Sequence, residues 1–374
     1  MVKISVLIPV YNAKDFLYDS IPSLLNQTFT DIELICVNDG SKDNSLEILN
    51  KFANEDNRVK VIDKKNGGCG SARNRALTES NGDYVYFFDP DDKLESNALE
   101  LAYESAVKND SDLVIFKANT FDKNGMGNKI FFNYTNIKKE DYDNVPYEII
   151  KPYALKRGYA PWSKLYKKEF LDSYDDFKFD LGIAFDDVPF HVKSILRAKK
   201  VSYLNKVLYH YRVDNANSVN STSSNGFDIF KVVDIVEKIL KRENHFEDLK
   251  KEFYRFKVIH ILTYIISTDS EVYFNVAKDK FNQINCDYLG KNTFVKHGYD
   301  LVLESKTFDE FKPKYRMFLI ENEIKKYERN IKKLQNENLK LKNENKKLKK
   351  ENKDILNSTS WKFTKPLRKI KNLR

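Results

Sequence analysis

Residues 84–92, Tyr-Val-Tyr-Phe-Phe-Asp-Pro-Asp-Asp, decide how this chain is read. The apolar run Tyr84 to Phe88 has the length and composition of a buried strand. It stops at three carboxylates, Asp89, Asp91 and Asp92, packed into four positions. Carboxylates that close repel one another unless a cation sits among them. A buried strand ending in a ligand site is the arrangement of open α/β sheets. An acidic turn capping the next helix, read over Leu94 to Val107, is the other reading. The neighbouring segments choose between the two.

On either side of that stretch the first 116 residues alternate strand and helix signals. Strands are read at Ile4–Val10, Ile32–Val37, Val59–Ile62 and Leu113–Phe116. Helices are read at Asp15–Asn26, Leu46–Ala53 and Ser71–Glu79, the last after a Gly-rich loop, Asn66-Gly-Gly-Cys-Gly70. Short apolar runs separated by helices predict parallel βαβ units with both faces covered. The ligand edge is then the carboxyl ends of the strands, where Tyr11-Asn12, Asn38-Asp39, Asp63 and Asp89-Asp91-Asp92 gather. Four polar strand ends on one edge favour a cation site over an isolated turn. Residues 117–160 are polar and turn-rich. Residues 161–223 mix aromatics with charge, and 227–311 read as a small amphipathic helical domain.

Composition limits the function classes. The chain has 374 residues, 41% hydrophobic and 32% charged, enough for two or three domains and a sizeable core. Three scattered cysteines, Cys36, Cys69 and Cys286, suit a reducing compartment and suggest neither a disulfide framework nor a zinc site. The sequence runs directly into a strand, so no signal peptide is expected. The most apolar internal run, 258–266, is too short to span a bilayer. The expected location is cytoplasmic, with at most peripheral contact at the membrane face. Net charge is +9, but residues 321–374 carry +11, so the first 320 residues sum to about −2. A near-neutral body with a basic tail does not point to nucleic acid.

Four segments then carry a resemblance. Val6-Leu-Ile-Pro-Val-Tyr-Asn12, Val37-Asn-Asp-Gly-Ser41, Asn66-Gly-Gly-Cys-Gly-Ser-Ala-Arg-Asn74 and Phe87-Phe-Asp-Pro-Asp-Asp92 occur in order at the ends of strands one to four. Together they resemble the family 2 glycosyltransferases of GT-A fold, strongly over 1–120 and moderately over 160–220. The implied fold is α/β, a Rossmann-like, mostly parallel sheet with helices on both faces, followed by helices and a coiled coil. The implied activity is inverting, metal-dependent transfer of a hexosyl or N-acetylhexosaminyl group. The donor is a nucleotide sugar, UDP-linked by preference, and the acceptor a carbohydrate or lipid-linked carbohydrate, in polysaccharide or glycan synthesis.

The resemblance also implies site residues. Pro9, Val10, Tyr11 and Asn12 would flank the base, and Asp39 would accept a hydrogen bond from it. Gly68 would let backbone approach the donor, and Arg73 would reach base or diphosphate. Asp89-Pro90-Asp91 becomes the D-x-D element holding Mn²⁺ or Mg²⁺. Asp91 is the main ligand, Asp89 serves ribose or metal, and Asp92 is a second candidate ligand. His210 is available as a further ligand, although the family's histidine position falls on Asp214. Phe185-Asp-Asp-Val-Pro-Phe190 looks like the family's E-D motif with Asp for Glu. Asp187 is the candidate general base and Asp186 the alternative. The same residues fit a helix N-terminus with proline in its first turn, and both readings can hold. Trp162 and Lys164, in a segment resembling W-x-K-L-Y, are candidate acceptor contacts; core anchoring by Trp162 is the alternative. A nucleotidyltransferase, or a scaffold with an inactive GT-A body, are the competing functions.

The expected domains are 1–116 (donor half), 117–223 (acceptor half), 224–319 (helical), 320–356 (coiled coil) and 357–374 (basic amphipathic tail). The coiled coil rests on d positions at Ile320, Tyr327, Leu334, Leu341, Leu348 and Ile355. Its a positions are Ile324, Ile331, Asn338, Asn345 and Asn352, which favour a homodimer. The tail, Ser358-Thr-Ser-Trp-Lys-Phe-Thr-Lys-Pro-Leu-Arg368 and onward, resembles an ending in some polysaccharide-building members. Its aromatic and basic residues suit an anionic membrane face.

Overall fold

Seven consecutive buried residues make β1 (Ile4–Val10), and seven more make β2 (Ile32–Asn38). Strands buried on both faces must lie inside a sheet that helices cover on each side. The computed structural model, which describes residues 2–132, 134–156, 158–215, 226–291 and 293–357, shows this arrangement. β1 pairs in parallel with β2 and with β4 (Tyr84–Phe87), and β2 pairs in parallel with β3 (Val59–Asp63). Helices α1 (Lys14–Leu25), α2 (Ser45–Glu55) and α3 (Cys69–Thr78) make the connections. The four parallel strands therefore present their carboxyl ends on one edge.

Beyond β4 the sheet becomes mixed. The chain continues through β5 (Lys93–Leu94), α4 (Ala98–Asn109), β6 (Leu113–Asp122) and β7 (Gly125–Phe131). Next come α5 (Tyr147–Ile150), β8 (Lys164–Lys167), α6 (Lys168–Asp172), α7 (Asp187–Arg197) and β9 (Val201–Arg212). The strand order is β3-β2-β1-β4-β8-β6-β9-β5, with β7 paired to β6. β8 is antiparallel to both β4 and β6, so β6 keeps the direction of the first four strands without touching them.

Two expectations are corrected here. The helix read from Leu94 starts only at Ala98, because Lys93 and Leu94 pair with His210 and Tyr209 of β9. The segment 117–160 is not merely turns. It holds the end of β6 and the edge strand β7, whose Met126 and Ile130 are exposed and so hid the strand pattern.

An aromatic cluster ties the two halves of the sheet together. Phe87 at the end of β4 meets Tyr166, Phe179 and Phe190 edge-on at 5.2–5.5 Å, and Phe179 stacks on Phe190 at 4.2 Å. Offset and edge contacts of this kind are favourable. Here they fix the start of α7 against the end of β4.

Four further helices follow, α8 (Asp228–Arg242), α9 (Lys250–Ile265), α10 (Glu271–Asn282) and α11 (Phe294–Glu304). The chain divides into two compact units, Met1–Leu303 and Glu304–Arg374. The second contains α12, a 50-residue helix over Phe308–Asn357. Residues 358–374, and with them the expected membrane-facing tail, lie outside the described residues. Among the described residues no helix is long and apolar enough to cross a membrane.

Candidate active site

The strand ends are tied to one another by side chains. The Asn12 amide N–H donates to Ser41 Oγ at 3.0 Å, and Asn12 Oδ1 accepts from the Lys42 amide at 2.8 Å. Asn12 sits at φ 49°, a conformation that asparagine tolerates better than most residues. Pro9 and Val10 are buried in the last turn of β1, and Tyr11 beyond them is half exposed.

Asp39 is 2% exposed. Its Oδ1 accepts from the Gly67 amide at 2.9 Å and from the Lys64 ammonium, and its Oδ2 from the Gly68 amide at 2.8 Å. Asp39 thus anchors the Gly-rich loop. Gly68, at φ 88°, allows the turn that aims the loop's amides at the carboxylate. By lone-pair count, about one of the carboxylate's four acceptor sites is left for a base.

The acidic turn divides its labour. Asp92 is fully buried, with Oδ1 accepting from the Arg212 amide at 2.7 Å and Oδ2 from the Tyr209 hydroxyl. Arg212 Nε also donates to the Asp91 carbonyl at 2.7 Å. Both Asp92 oxygens are committed to β9, so Asp92 holds the turn rather than presenting a metal ligand. Asp89 and Asp91 are left at the mouth. Asp91 Oδ2 accepts from Asn215 at 2.7 Å. Burial, and then the charge of Asp89, push the Asp91 carboxyl above its ordinary value.

Arg73 joins this turn to the acidic pair of α7. Its NH2 donates to Asp89 Oδ1 at 2.8 Å, and its NH1 lies 3.5 Å from Asp186 Oδ1. The guanidinium packs over the Phe179 ring at 5.2 Å. Arg73 Nε is buried with no hydrogen-bond partner among the described residues, a donor aligned with a cluster built around charge. Asp186 is 8% exposed, and burial pushes its carboxyl up to about 7. Asp187 is more open at its residue surface. Burial of its carboxyl also raises it, against the attraction of Arg73.

α3 receives this loop. Gly70 has no Cβ because one would collide with the Asp186 carboxylate. Asn74 clamps the Phe179 backbone from both sides, accepting from its amide and donating to its carbonyl, each at 2.8 Å. Phe185, immediately before the acids, holds φ 62°, and its ring lies 5.0 Å from that of Tyr264 on α9. A bulky residue in the left-handed region costs about 1–3 kcal/mol and persists where the surroundings enforce it.

Asp89, Asp186 and Asp187 therefore lie around one guanidinium, with Asp91 beside Asp89, and three of these four carboxyls are pushed toward their neutral forms. Such a cluster fits a divalent cation. Asp91 and Asp89 would supply hard oxygen ligands to such an ion, and Mg²⁺ or Mn²⁺ ordinarily completes its shell with phosphate oxygens and water. Among the described residues no group of three or more His, Cys, Asp or Glu is arranged to hold a metal by itself.

Three more expected residues lie elsewhere. His210 points away from the carboxylates, its Nδ1 meeting Asn119 Oδ1 and its Nε2 lying 2.8 Å from Glu95 Oε1. Its neighbour Tyr209 faces the turn, and successive strand residues face opposite sides. Trp162 is buried, stacked on Tyr209 at 4.1 Å and 4° and edge-on to Phe132, so the core takes the ring that was expected to meet a sugar. Lys164 is fully buried and donates to the carbonyls of Gly158 and Ala160 at 3.0 and 2.8 Å. Burial lowers its ammonium to about 7. Neither Trp162 nor Lys164 presents a face to an acceptor.

Sequence reasoning missed Asn74, Tyr209, Arg212 and Asn215. Asn74 closes the third quoted motif, and Tyr209 and Arg212 flank His210, so the signal lay beside residues already singled out.

Comparison with known proteins identifies the family and the fold. The family model described as Glycosyl transferase family 2 matches residues 5–172. Glycosyltransferase GlyA of Streptococcus pneumoniae is 35% identical over 220 residues, which cover 56% of this chain but only 30% of that protein. Cholesterol galactosyltransferase of Borreliella burgdorferi is 31% identical over 313 residues, covering 78% of this chain and 85% of that protein. Among solved structures, S. aureus TarS 1-349 in complex with UDP-GlcNAc superposes with a TM-score of 0.54 at 21% identity, over 84% of this chain and 92% of that one. The last likeness is one of fold.

Proposed function

Because the chain belongs to glycosyl transferase family 2 and is a glycosyltransferase of GT-A fold, we propose that it is an inverting, metal-dependent enzyme. It moves a sugar from a nucleotide donor, UDP-linked by preference, to a carbohydrate or lipid-linked carbohydrate acceptor. The family sets aside the nucleotidyltransferase and inactive-scaffold alternatives. One observation carries the proposal. Arg73 links Asp89 of the D-x-D element to Asp186 of the acidic pair, so the leaving-group end and the base end of a transfer reaction meet at one side chain.

In this reading the base of the donor lies by Tyr11 and Asp39, and its diphosphate lies along the Gly-rich loop toward Arg73, whose unpartnered Nε–H suits an anionic oxygen. Asp91 and Asp89 hold the divalent cation, which when bound offsets the charge building on the departing nucleoside diphosphate. Asp187 takes the proton from the acceptor hydroxyl as that oxygen bonds to the anomeric carbon, opposite the breaking bond to the diphosphate. A carboxyl raised toward neutrality is the stronger base for this task. Asp186 holds Arg73.

Asp187→Asn and Asp91→Ala should each abolish transfer while circular dichroism stays unchanged. Asp91→Ala should also lose the Mn²⁺-dependent rise in melting temperature on adding nucleotide sugars, scored across UDP-, GDP- and CDP-linked donors. Wild-type turnover by either purified variant refutes the assignment.

A further inference from the structure

The surface of α12 carries two patterns at once. Along one seam Ile320, Ile324, Tyr327, Ile331, Leu334, Leu341, Leu348 and Ile355 are 52–66% exposed. An apolar seam on so polar a helix, about 75 Å long, is stable only when it is covered. The second pattern is in the flanking charges. With Leu334, Leu341 and Leu348 at d, the g positions are Glu323, Asn330, Glu337, Glu344 and Glu351. The e positions are Glu328, Gln335, Lys342, Lys349 and Leu356.

We propose that a second copy of this chain covers the seam, in a parallel, in-register, two-stranded coiled coil. Charge chooses the orientation. In a parallel pair each g residue faces the e residue five positions further along the other helix. Glu337 then meets Lys342 of the second copy, and Glu344 meets Lys349, each pair formed twice by symmetry, against one repulsive pair, Glu323 with Glu328. In an antiparallel pair g faces g and e faces e, which sets Glu337 against Glu344 when the helices overlap fully and leaves Lys342 facing Gln335. The seam chooses the same way. Asn338, Asn345 and Asn352 at a face their own copies when the helices are parallel and in register, and their amides satisfy one another. Antiparallel helices set those amides against Leu341, Leu334 and Tyr327, and a one-heptad shift strands an Asn against Ile331, where an unpaired amide is costly. Asparagine at a also favours two strands over three. Both chains consequently enter the coil at the same end.

Two readouts test this on the full chain. In the first, sedimentation equilibrium compares the wild type with Glu337→Lys/Glu344→Lys and with the quadruple variant that adds Lys342→Glu/Lys349→Glu. The double variant should self-associate at least about tenfold more weakly, since four attractions become repulsions, and the quadruple variant should recover. In a fully overlapped antiparallel pair the double variant only trades Glu against Glu for Lys against Lys, and the quadruple variant adds a repulsion at Glu328, so it would not recover. In the second, Ile324→Cys or Ile355→Cys is placed in a Cys69→Ser/Cys286→Ser background and oxidised. Each should give a disulfide-linked dimer alone. A monomeric wild type, a double variant that associates as well as the wild type, or linkage only when the two cysteine variants are mixed, overturns the proposal.

Discussion

Replacing Asp186 with Asn should make the protein more stable above neutral pH. The carboxyl is 8% exposed, and burial moves it from its ordinary 3.8 to about 7, the attraction of Arg73 already included. At about 1.4 kcal/mol per tenfold change, the ionised form costs the fold about 4 kcal/mol at most. Relaxation and water entry around buried charges reduce such costs, so about 2 kcal/mol is expected. For a body of this size that is a rise of about 3–5 °C in melting temperature. The sign follows from linkage. A carboxyl whose folded value lies above its unfolded value favours the fold below about pH 4, and that contribution is lost as pH rises through about 7. The gain from Asp186→Asn should therefore be near zero at pH 4.5, grow through pH 5–7 and level off above. Asn keeps the shape beside Gly70, and Arg73 keeps Asp89. Differential scanning fluorimetry of both proteins from pH 4.5 to 8.5 reads the difference directly. A variant less stable than the wild type at pH 8, or a gain that does not change with pH, refutes the claim that Asp186 is held against a desolvation cost.

Trp162→Ala should cost about 3–5 kcal/mol of stability, the usual loss for a large buried aromatic, because the ring fills the stack on Tyr209 and Tyr211. Acceptor KM of the folded fraction should not change; a raised KM without a lower melting temperature would return Trp162 to the acceptor. Deleting residues 357–374 should abolish co-sedimentation with vesicles containing anionic lipid, and leave turnover on a soluble acceptor intact. Unchanged vesicle binding removes the tail from that role.

The donor half was legible because its signals are local. β1, β2 and β4 are unbroken apolar runs, and each motif follows its strand directly, so the family could be read from four strand ends. The second half depends on pairings distant in sequence. β8 slots between β4 and β6, and nothing in Lys164–Lys167 alone announces that the strand is central. Asp92 and His210 show the same limit. In sequence Asp92 is one more acid of the cluster. Only Tyr209 and the Arg212 amide, about 120 positions away, reveal that its oxygens are spent. His210 looked like a ligand by residue type, and β-strand alternation put it on the wrong face. For Trp162 the aromatic signal was real, but stacking on tyrosine and stacking on a sugar ask for the same residue.

In the proposed reading, the charge inventory ties the donor to the cation. Asp89, Asp186 and Asp187 lie around Arg73, Asp91 adds a fourth carboxylate beside Asp89, and the Lys164 ammonium, lowered to about 7, adds little positive charge. A nucleotide diphosphate sugar arriving alone would add about two negative charges to a cluster that already strains to stay ionised. Accompanied by a divalent cation it would arrive nearly neutral, and the cation would also offset the burial and the Asp89 charge that raise Asp91. Arg73 cannot do this instead, because its guanidinium is divided between Asp89 and Asp186. The same buried setting serves the other half of the proposed reaction. Burial of the Asp187 carboxyl raises its affinity for a proton, against the attraction of Arg73, and the proton to be taken in that reading is the one on the acceptor hydroxyl. A site with its charges fully paired would bind the donor less selectively as a metal complex and would hold a weaker base. The imbalance is thus part of how the site works, and the fold sustains it through burial on Gly70 and the aromatic packing of Phe87, Phe179 and Phe190.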